Sequence, residues 1–202
     1  ALTETKVKKT ETQTAAPNVY WTDGYGRVSY TTNSIISPVV KISLKEFAGD
    51  MKAVTGFDAK EKSGAPIQIY QLDQLTNTEF SAVEKLGAPL HLIITAKDAF
   101  YIGTRKGKLI VIGSNARGTA YAIMKLSELA GVSPLAAWND LKPAQRKSLY
   151  TPVDQQWIEV PRIEFRGLAL NNSQWMKPQN YSRIARLMLR LRANTLWQVD
   201  GR

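Results

Sequence analysis

The sequence predicts a mixed α/β protein, and three patterns carry that prediction. Residues 100–112 hold two short apolar segments around Thr-Arg-Lys-Gly, the pattern of an antiparallel hairpin. A helical pattern follows at 116–130, so a helix returns to a sheet with both parallel and antiparallel neighbours. Near the end, an apolar strand at 163–170, a helix at 181–192 and a strand at 195–199 form one βα repeat and the start of another. Such repeats belong to parallel α/β sheets or barrels.

The amino-terminal elements are short. Residues 18–30 predict a small hairpin around Asp23-Gly24. Residues 35–42 predict a strand, and Pro38 places it at an edge because proline cannot donate to a central ladder.

The clearest helix signal follows directly. Ser43 and Glu46 have the spacing of a capping box, and Gly56 stands where a left-handed cap would end the helix. Four apolar residues at helical spacing form its buried face: Leu44, Phe47, Met51 and Val54.

The middle of the chain predicts strand, helix and strand. Residues 66–70 are a strand, and Thr76 with Glu79 opens a short helix that ends before Gly87. Residues 90–95 are a second strand, which contains His91. Because the sequence has a single histidine, no second imidazole can complete a relay or a metal site, and we interpret His91 as a half-buried strand residue.

The last helix has an apolar stripe that needs a partner. Asn180 is its predicted N-cap, and the stripe consists of Ile184, Leu187, Met188 and Leu191. One βα unit and a strand cannot bury this stripe alone, so we expect it to dock on the first domain or to drive self-association into a homo-oligomer. The opposite face carries three arginines, interpreted as a solvated surface: Arg183, Arg186 and Arg190.

These elements suggest four regions. Residues 1–17 are a polar, disordered tail and 18–142 are an α/β domain. Residues 143–160 are a linker that contains two prolines, and 161–202 begin a (β/α)8 barrel that is incomplete. We therefore expect the chain to be the front of a larger enzyme.

Composition excludes some classes of protein and leaves others open. Zero cysteines exclude disulfides and thiolate metal sites, and are compatible with an oxidising compartment. No apolar run is long enough to span a membrane. The net charge of +10 is compatible with nucleic acid or with an acidic polysaccharide. Because the lysines are dispersed, without basic blocks or RNP-like strings, a nucleic-acid partner is disfavoured.

One loop resembles a phosphate-binding loop in its glycine spacing. Gly113 and Gly118 lie between a strand and a helix, but Thr119 occupies the position where a P-loop has its lysine. We predict a structural turn with close approach of helix and sheet, without a nucleotide or any other cofactor.

The candidate site residues lie after the two barrel-like strands. Barrel enzymes keep their chemistry at this end of the strands. Substrate-binding candidates are Asn171, Asn172 and Asp200, together with Trp175, whose ring could stack on a sugar. Trp197 is expected to pack in a core instead. These strand ends offer one carboxylate at most, whereas glycoside cleavage needs two, so no catalytic residue and no metal ligand is predicted in this chain.

The segments KLIVIGSNARGTAYAIMKLSELAGVSP at 108–134 and PRIEFRGLAL at 161–170, with LRLRANTLW at 189–197, resemble glycoside hydrolase family 115, the xylan α-glucuronidases. The resemblance implies an accessory α/β domain, similar to those of family 20 and 67 hydrolases, followed by the first β-α-β elements of a (β/α)8 barrel. It implies catalytic acids beyond residue 202. The family's acidic NDE-like loop is replaced here by Asn171-Asn172-Ser173-Gln174, which removes carboxylates beside the sugar.

The resemblance implies the amino-terminal, non-catalytic part of a secreted or periplasmic glycoside hydrolase, whose full-length form acts on plant-type polysaccharide or oligosaccharide. The alternatives are a carbohydrate-binding or structural module without hydrolase activity, and a basic nucleic-acid-binding protein.

Overall fold

The computed structural model describes residues 17–170 and 177–198. The tail predicted at 1–17 lies outside this range except for Pro17, whose carbonyl oxygen accepts from the Val153 N–H. The described residues form ten strands and four α-helices. In chain order they are β1 (Asn18–Tyr20), β2 (Ser29–Thr32), α1 (Pro38–Thr55), β3 (Lys60–Glu61), β4 (Ile67–Gln71), α2 (Asn77–Glu84), β5 (Phe100–Arg105), β6 (Lys108–Gly113), α3 (Ala116–Leu129), β7 (Tyr150–Pro152), β8 (Gln156–Glu159), β9 (Gly167–Leu170), α4 (Pro178–Arg190) and β10 (Thr195–Gln198).

A six-stranded sheet is the centre of the fold, with strand order β3-β2-β4-β6-β5-β8. The first four strands of this order run parallel, whereas β5 is antiparallel to both β6 and β8. The mixed sheet predicted from the sequence is therefore confirmed. Two further pairs complete the topology: β1 with β7 in antiparallel fashion, and β9 with β10 in parallel.

The sheet has a hydrophobic core on each face, because side chains alternate along a strand. On β6, Leu109 and Val111 face the larger core, which includes the buried sides of α1 and α3. Ile110 and Ile112 face the smaller core, where Val83 of α2 is buried. This central strand is therefore apolar on both sides, as parallel sheets covered by helices require.

Helix α1 begins earlier than the sequence predicts. It starts at Pro38, and the strand predicted at 35–42 does not form. Proline is well suited to the first helical position, since its missing N–H would have no partner there. Ser43 is consequently a buried interior residue, whose hydroxyl donates to the carbonyl oxygen of Val39 at 2.9 Å. The predicted apolar face and the left-handed cap at Gly56 are confirmed.

The strand predicted at 90–95 is also wrong. Residues Leu90–Leu92 form a single 3-10 turn, and His91 is exposed. Strand β5 already pairs with β6 on one side and β8 on the other, so neither of its edges is free to take another strand. Only Ile93 of this apolar segment is buried, in the smaller core.

The segments on either side of the α/β domain also pair differently from the prediction. Strand β1 pairs with β7 rather than with β2, while the loop around Asp23 is closed by an antiparallel bridge between Thr22 and Val28 and by local hydrogen bonds to Asp23. Within 143–160, the expected linker, β8 forms an edge of the main sheet. The main sheet therefore includes Gln156–Glu159, beyond the predicted end of the α/β domain at 142. No α-helix in the described ranges has the length and apolarity that crossing a bilayer requires.

The loop between β6 and α3 is held by close packing, as the sequence predicts. A Cβ atom at Gly113 would lie 2.0 Å from the backbone nitrogen of Thr119, and one at Gly118 would lie 2.3 Å from the carbonyl oxygen of Ala99. The side chain of Asn115 accepts from the Gly118 N–H at 2.8 Å, so it occupies a donor that a phosphate would otherwise use. Both glycines serve the approach of α3 to the sheet.

Helix α2 has the predicted capping box. The Thr76 hydroxyl accepts from the Glu79 N–H, and the Glu79 carboxylate accepts from the N–H groups of Thr76 and Ser34 at 2.9 and 2.8 Å. These two backbone hydrogen bonds, with Ser34 the larger cause, lower the pKa of Glu79 to about 2. The carboxylate thereby ties the helix start to the segment before α1.

Replacing Glu79 with glutamine should lower the free energy of unfolding by about 1 kcal/mol at pH 7, because the amide cannot accept both backbone hydrogen bonds. The lowered pKa means that this stabilisation is complete above pH 4.5 and is lost as the pH falls through about 2. Urea titrations of both proteins at pH 7 and pH 2 measure the difference. Glu84→Gln, on the exposed side of α2, is the control, and a Glu79 difference that persists unchanged at pH 2 would contradict the assignment.

Candidate functional site

The end of the β9-β10 pair is the place where the sequence predicts substrate contacts. The two strands run parallel and in register, so Leu170 and Gln198 lie opposite each other at their carboxyl ends. The strands approach closely because β9 begins with glycine: a Cβ at Gly167 would lie only 1.5 Å from the carbonyl oxygen of Thr195. The segments that follow both strands therefore start from one edge, as in the active face of a βα barrel.

The predicted substrate-binding residues Asn171, Asn172, Trp175 and Asp200 lie outside the described residues. Their assignment stays a prediction. Trp197 is described, and its side chain is 66% exposed, so the prediction that it packs in a core is wrong. A pair of parallel strands cannot cover its own faces, which is why this apolar ring remains in contact with solvent.

The opposite, amino ends of β9 and β10 face the α/β domain across a cavity of about 830 Å³, here called the amino-edge cavity. At its wall lies Asp98, whose side chain is only 2% exposed. The carboxylate accepts from Arg117 Nε at 2.9 Å and from Asn115 Nδ2 at 3.2 Å on the α/β side. It accepts from Arg166 Nη2 at 3.2 Å and from Asn194 Nδ2 at 3.1 Å on the β9-β10 side.

The backbone around Asp98 is adapted to this role. Its φ of 58° is in the left-handed region, which aspartate tolerates better than most residues. Burial acts to raise the pKa of Asp98, but hydrogen bonds from Arg117, Asn115 and Asn194 outweigh burial, so the pKa lies below its ordinary value. Asp98 is thus an anion with every oxygen engaged, which suits an anchor rather than a general acid or base.

The amino-edge cavity is therefore poorly suited to catalysis, because Asp98 is not free to act as an acid or a base. Its other acidic residue, Glu164, pairs with Lys97 at 2.8 Å on the surface. No cluster of three or more His, Cys, Asp or Glu that could hold a metal occurs in 17–170 and 177–198. Residues at the amino ends of barrel strands usually serve stability rather than chemistry, and this arrangement agrees with that rule.

Two of the three arginines predicted on a solvated face of α4 pair with carboxylates of α1, and the prediction is wrong for Arg190, which is largely buried, whereas Arg186 stays exposed. Arg190 binds both carboxylate oxygens of Asp50 on α1 at 2.8 and 2.9 Å, with both side chains largely buried. Arg186 Nε lies 3.2 Å from Glu46. Periodicity identifies a polar face of a helix but not the residues that pack against it. Asp50 lies 140 residues from Arg190 in the sequence, so no local pattern could predict this ion pair.

The turn after α4 completes the docking. Arg192 Nη2 lies 2.8 Å from Glu128 Oε1 on α3, and Arg192 Nε lies 2.7 Å from Glu159 Oε2 on β8. The Tyr121 hydroxyl donates to the carbonyl oxygen of Ala193 at 3.0 Å. Ile184 of the apolar stripe is buried. The β9-α4-β10 unit is therefore docked on the first domain, which is one of the outcomes that the sequence predicts. The face of the β9-β10 pair that carries Trp197 stays exposed.

Comparison with known proteins gives the architecture a name. No protein-family model and no curated protein sequence matches the chain. Among solved structures, it is similar to a family GH115 4-O-methyl-α-glucuronidase with specificity for decorated arabinogalactans, with a TM-score of 0.73 and 28% identity. The fold is that of glycoside hydrolases. The likeness covers 87% of this chain and 25% of that enzyme, so the chain corresponds to about a quarter of its relative.

Family GH20 enzymes share the fold at lower identity. The chitobiase of Flavobacterium johnsoniae has a TM-score of 0.57 at 16% identity, over 91% of this chain and 25% of its own. The exo-β-N-acetylglucosaminidase of Vibrio harveyi has a TM-score of 0.56 at 12% identity, over 91% of this chain and 23% of its own. The predicted fold class, a mixed-sheet accessory domain followed by the first β-α-β elements of a barrel, is confirmed.

Proposed function

We propose that this chain is the amino-terminal, non-catalytic part of a glycoside hydrolase that removes uronic acid groups from a plant-type polysaccharide. The observation that carries the proposal is the likeness to the family GH115 enzyme, which covers 87% of this chain. That enzyme is a 4-O-methyl-α-glucuronidase, so an α-glucuronidase-like activity on xylan or arabinogalactan is the leading candidate. We further propose a secreted or periplasmic location, where such polysaccharides are met.

The geometry gives the chain a supporting part in this reaction. Asp98 and the Arg190-Asp50 pair fix the β9-α4-β10 unit on the accessory domain from its amino end and from α4. The carboxyl ends of β9 and β10 are left facing away from these anchors, and loops there would meet the sugar. The cleavage itself needs an acid and a second carboxylate about 5 to 10 Å apart across the scissile bond.

The experiment is to express the full-length gene product and to measure uronic acid released from glucuronoxylan and from decorated arabinogalactan. Release from either substrate supports the proposal. A folded full-length protein that releases no uronic acid from either polysaccharide or from an aryl glucuronide would overturn the proposal.

The 202-residue chain alone should show no hydrolysis of the same substrates. The carboxylates around the amino-edge cavity are engaged in ion pairs. The segments after the two strands contain at most one further carboxylate, that of Asp200. Turnover that co-purifies with the folded chain and disappears on changing Asp140, Asp154 or Glu159 would place the chemistry in the α/β domain and contradict this assignment.

A further inference from the structure

We propose that a cleft beside strand β3 is an accessory binding site for the carboxylate groups of acidic sugars. The cleft, here called the β3 cleft, has a volume of about 640 Å³ and lies between the end of α1, the loop before β2 and the outer strand of the sheet. It shares no lining residue with the amino-edge cavity. Its lining residues all lie between Asp23 and Lys62, so none belongs to the β9-α4-β10 unit, whose carboxyl ends are the proposed sugar-contacting face.

Arg27 is the residue that gives this cleft a ligand preference. Its Cζ atom lies 5.0 Å from the centre of the Phe57 ring and 5.6 Å from that of the Tyr25 ring. The rings support the guanidinium through cation–π contacts and restrict its motion. Within 17–170 and 177–198, the Arg27 side chain has no hydrogen bond and no ion pair. A supported guanidinium with unused N–H groups is suited to a bidentate carboxylate.

The other charges of the β3 cleft reinforce this preference. Its acidic groups are engaged: Asp23 accepts from the backbone N–H groups of Tyr25 and Arg27, each at 2.9 Å. Glu61 accepts from the Thr32 hydroxyl at 2.8 Å, and Asp58 lies 3.9 Å from Lys52. By contrast, Lys60 and Lys62 line the cleft without an ion pair to any described residue. The lining thus holds four basic side chains against three carboxylates, and Lys60 and Lys62 have no ion pair within the described residues that an entering anion would displace.

The aromatic surface favours a sugar as the carrier of the carboxylate. Gly56 ends α1 with a φ of 87°, and the chain then places Phe57 at the cleft with its side chain 40% exposed. Tyr25 is 78% exposed. Apolar C–H faces of a pyranose can pack on such rings while its carboxylate reaches the guanidinium. The choice of a sugar rests on the proposed function, whereas the preference for a carboxylate rests on Arg27 and its neighbours alone.

The test uses a fluorescently end-labelled hexagalacturonate and its carboxyl-reduced counterpart, in which each carboxylate is replaced by a primary alcohol. Fluorescence polarisation should show that the chain binds the uronate form at least tenfold more tightly than the reduced form. Arg27→Gln should weaken uronate binding at least tenfold, and Arg27→Lys should restore little of it, since an ammonium cannot make the bidentate contact. Lys142→Gln, an exposed site with the same loss of charge, should change binding less than twofold.

Several results would overturn the site. They are the absence of uronate binding, equal binding of the reduced probe, or equal losses in Arg27→Gln and Lys142→Gln, which would indicate attraction to net charge alone. Tighter binding of an oligothymidylate that also requires Arg27 would assign the cleft to nucleic acid instead. This experiment measures binding and not turnover. A full-length gene product without activity would therefore contradict the proposed function but not the proposed binding site.

Discussion

Replacing Gly113 with alanine should destabilise the whole α/β domain by about 3 kcal/mol, the upper end of the usual cost of overpacking a core. The new methyl would lie 2.0 Å from the backbone nitrogen of Thr119 and 2.2 Å from its hydroxyl oxygen. Helix α3 cannot retreat freely, since Ala120 and Tyr121 are buried against the sheet. For a domain of this size the expected fall in Tm is about 6 to 12 °C.

Gly49→Ala is the matched control. Gly49 lies inside α1, and a Cβ there would meet nothing within 4 Å. Alanine is favoured over glycine in a helix by about 1 kcal/mol, so this substitution should stabilise the protein. Calorimetry of both variants measures the two effects, which should differ in sign. A Gly113→Ala protein that melts at the wild-type temperature would show that the β6-α3 turn tolerates a side chain and that its glycine is not needed for close packing.

The sequence was a good guide to the fold wherever local signals and burial agree. The β5-β6 hairpin, helices α2 and α3 and the mixed sheet follow from short apolar segments, caps and turns that act over a few residues. The errors occurred where tertiary pairing decides. The apolar segment at 90–95 looks like a strand, but the strand that follows it, β5, is already paired on both sides, with β6 and with β8. Residues 35–42 contain β-formers, yet Pro38 starts a helix.

The site was less predictable than the fold. Asp98 and Arg166 are 68 residues apart, and neither lies in a motif that would join them. The arginines of α4 have the spacing of a polar face, and only the tertiary structure reveals Asp50 and Glu46 opposite them. Arg27 likewise becomes notable only when Phe57, from the end of another element, is placed beneath it. Contacts between distant segments leave no periodicity in a single sequence.

Replacing Asp98 with asparagine should loosen the β9-α4-β10 unit from the α/β domain while leaving the main sheet folded. Asparagine keeps the shape and accepts a φ of 58°, so the change removes the charge and not the backbone conformation. Breaking a buried ion pair costs about 3 to 5 kcal/mol, but Arg117 is half exposed, and we expect a loss of about 2 kcal/mol. Asp58→Asn, on a surface pair with Lys52, should cost no more than about 0.5 kcal/mol.

The effect of Asp98→Asn should be local and dependent on pH. The amides of Asn194 and Thr195 donate to the Arg166 carbonyl at 2.7 and 2.9 Å, and hydrogen exchange should accelerate there more than in β4 and β6. Because the folded-state pKa of Asp98 lies below 3.8, its stabilisation is complete above that pH and is lost as the pH falls through the lowered pKa. The difference between wild type and variant should therefore shrink in acid. Uniform acceleration across the sheet would mean that Asp98 supports the global fold rather than the docking of the barrel elements. A difference that does not change with pH would mean that the charge of Asp98 is not what stabilises the docked unit.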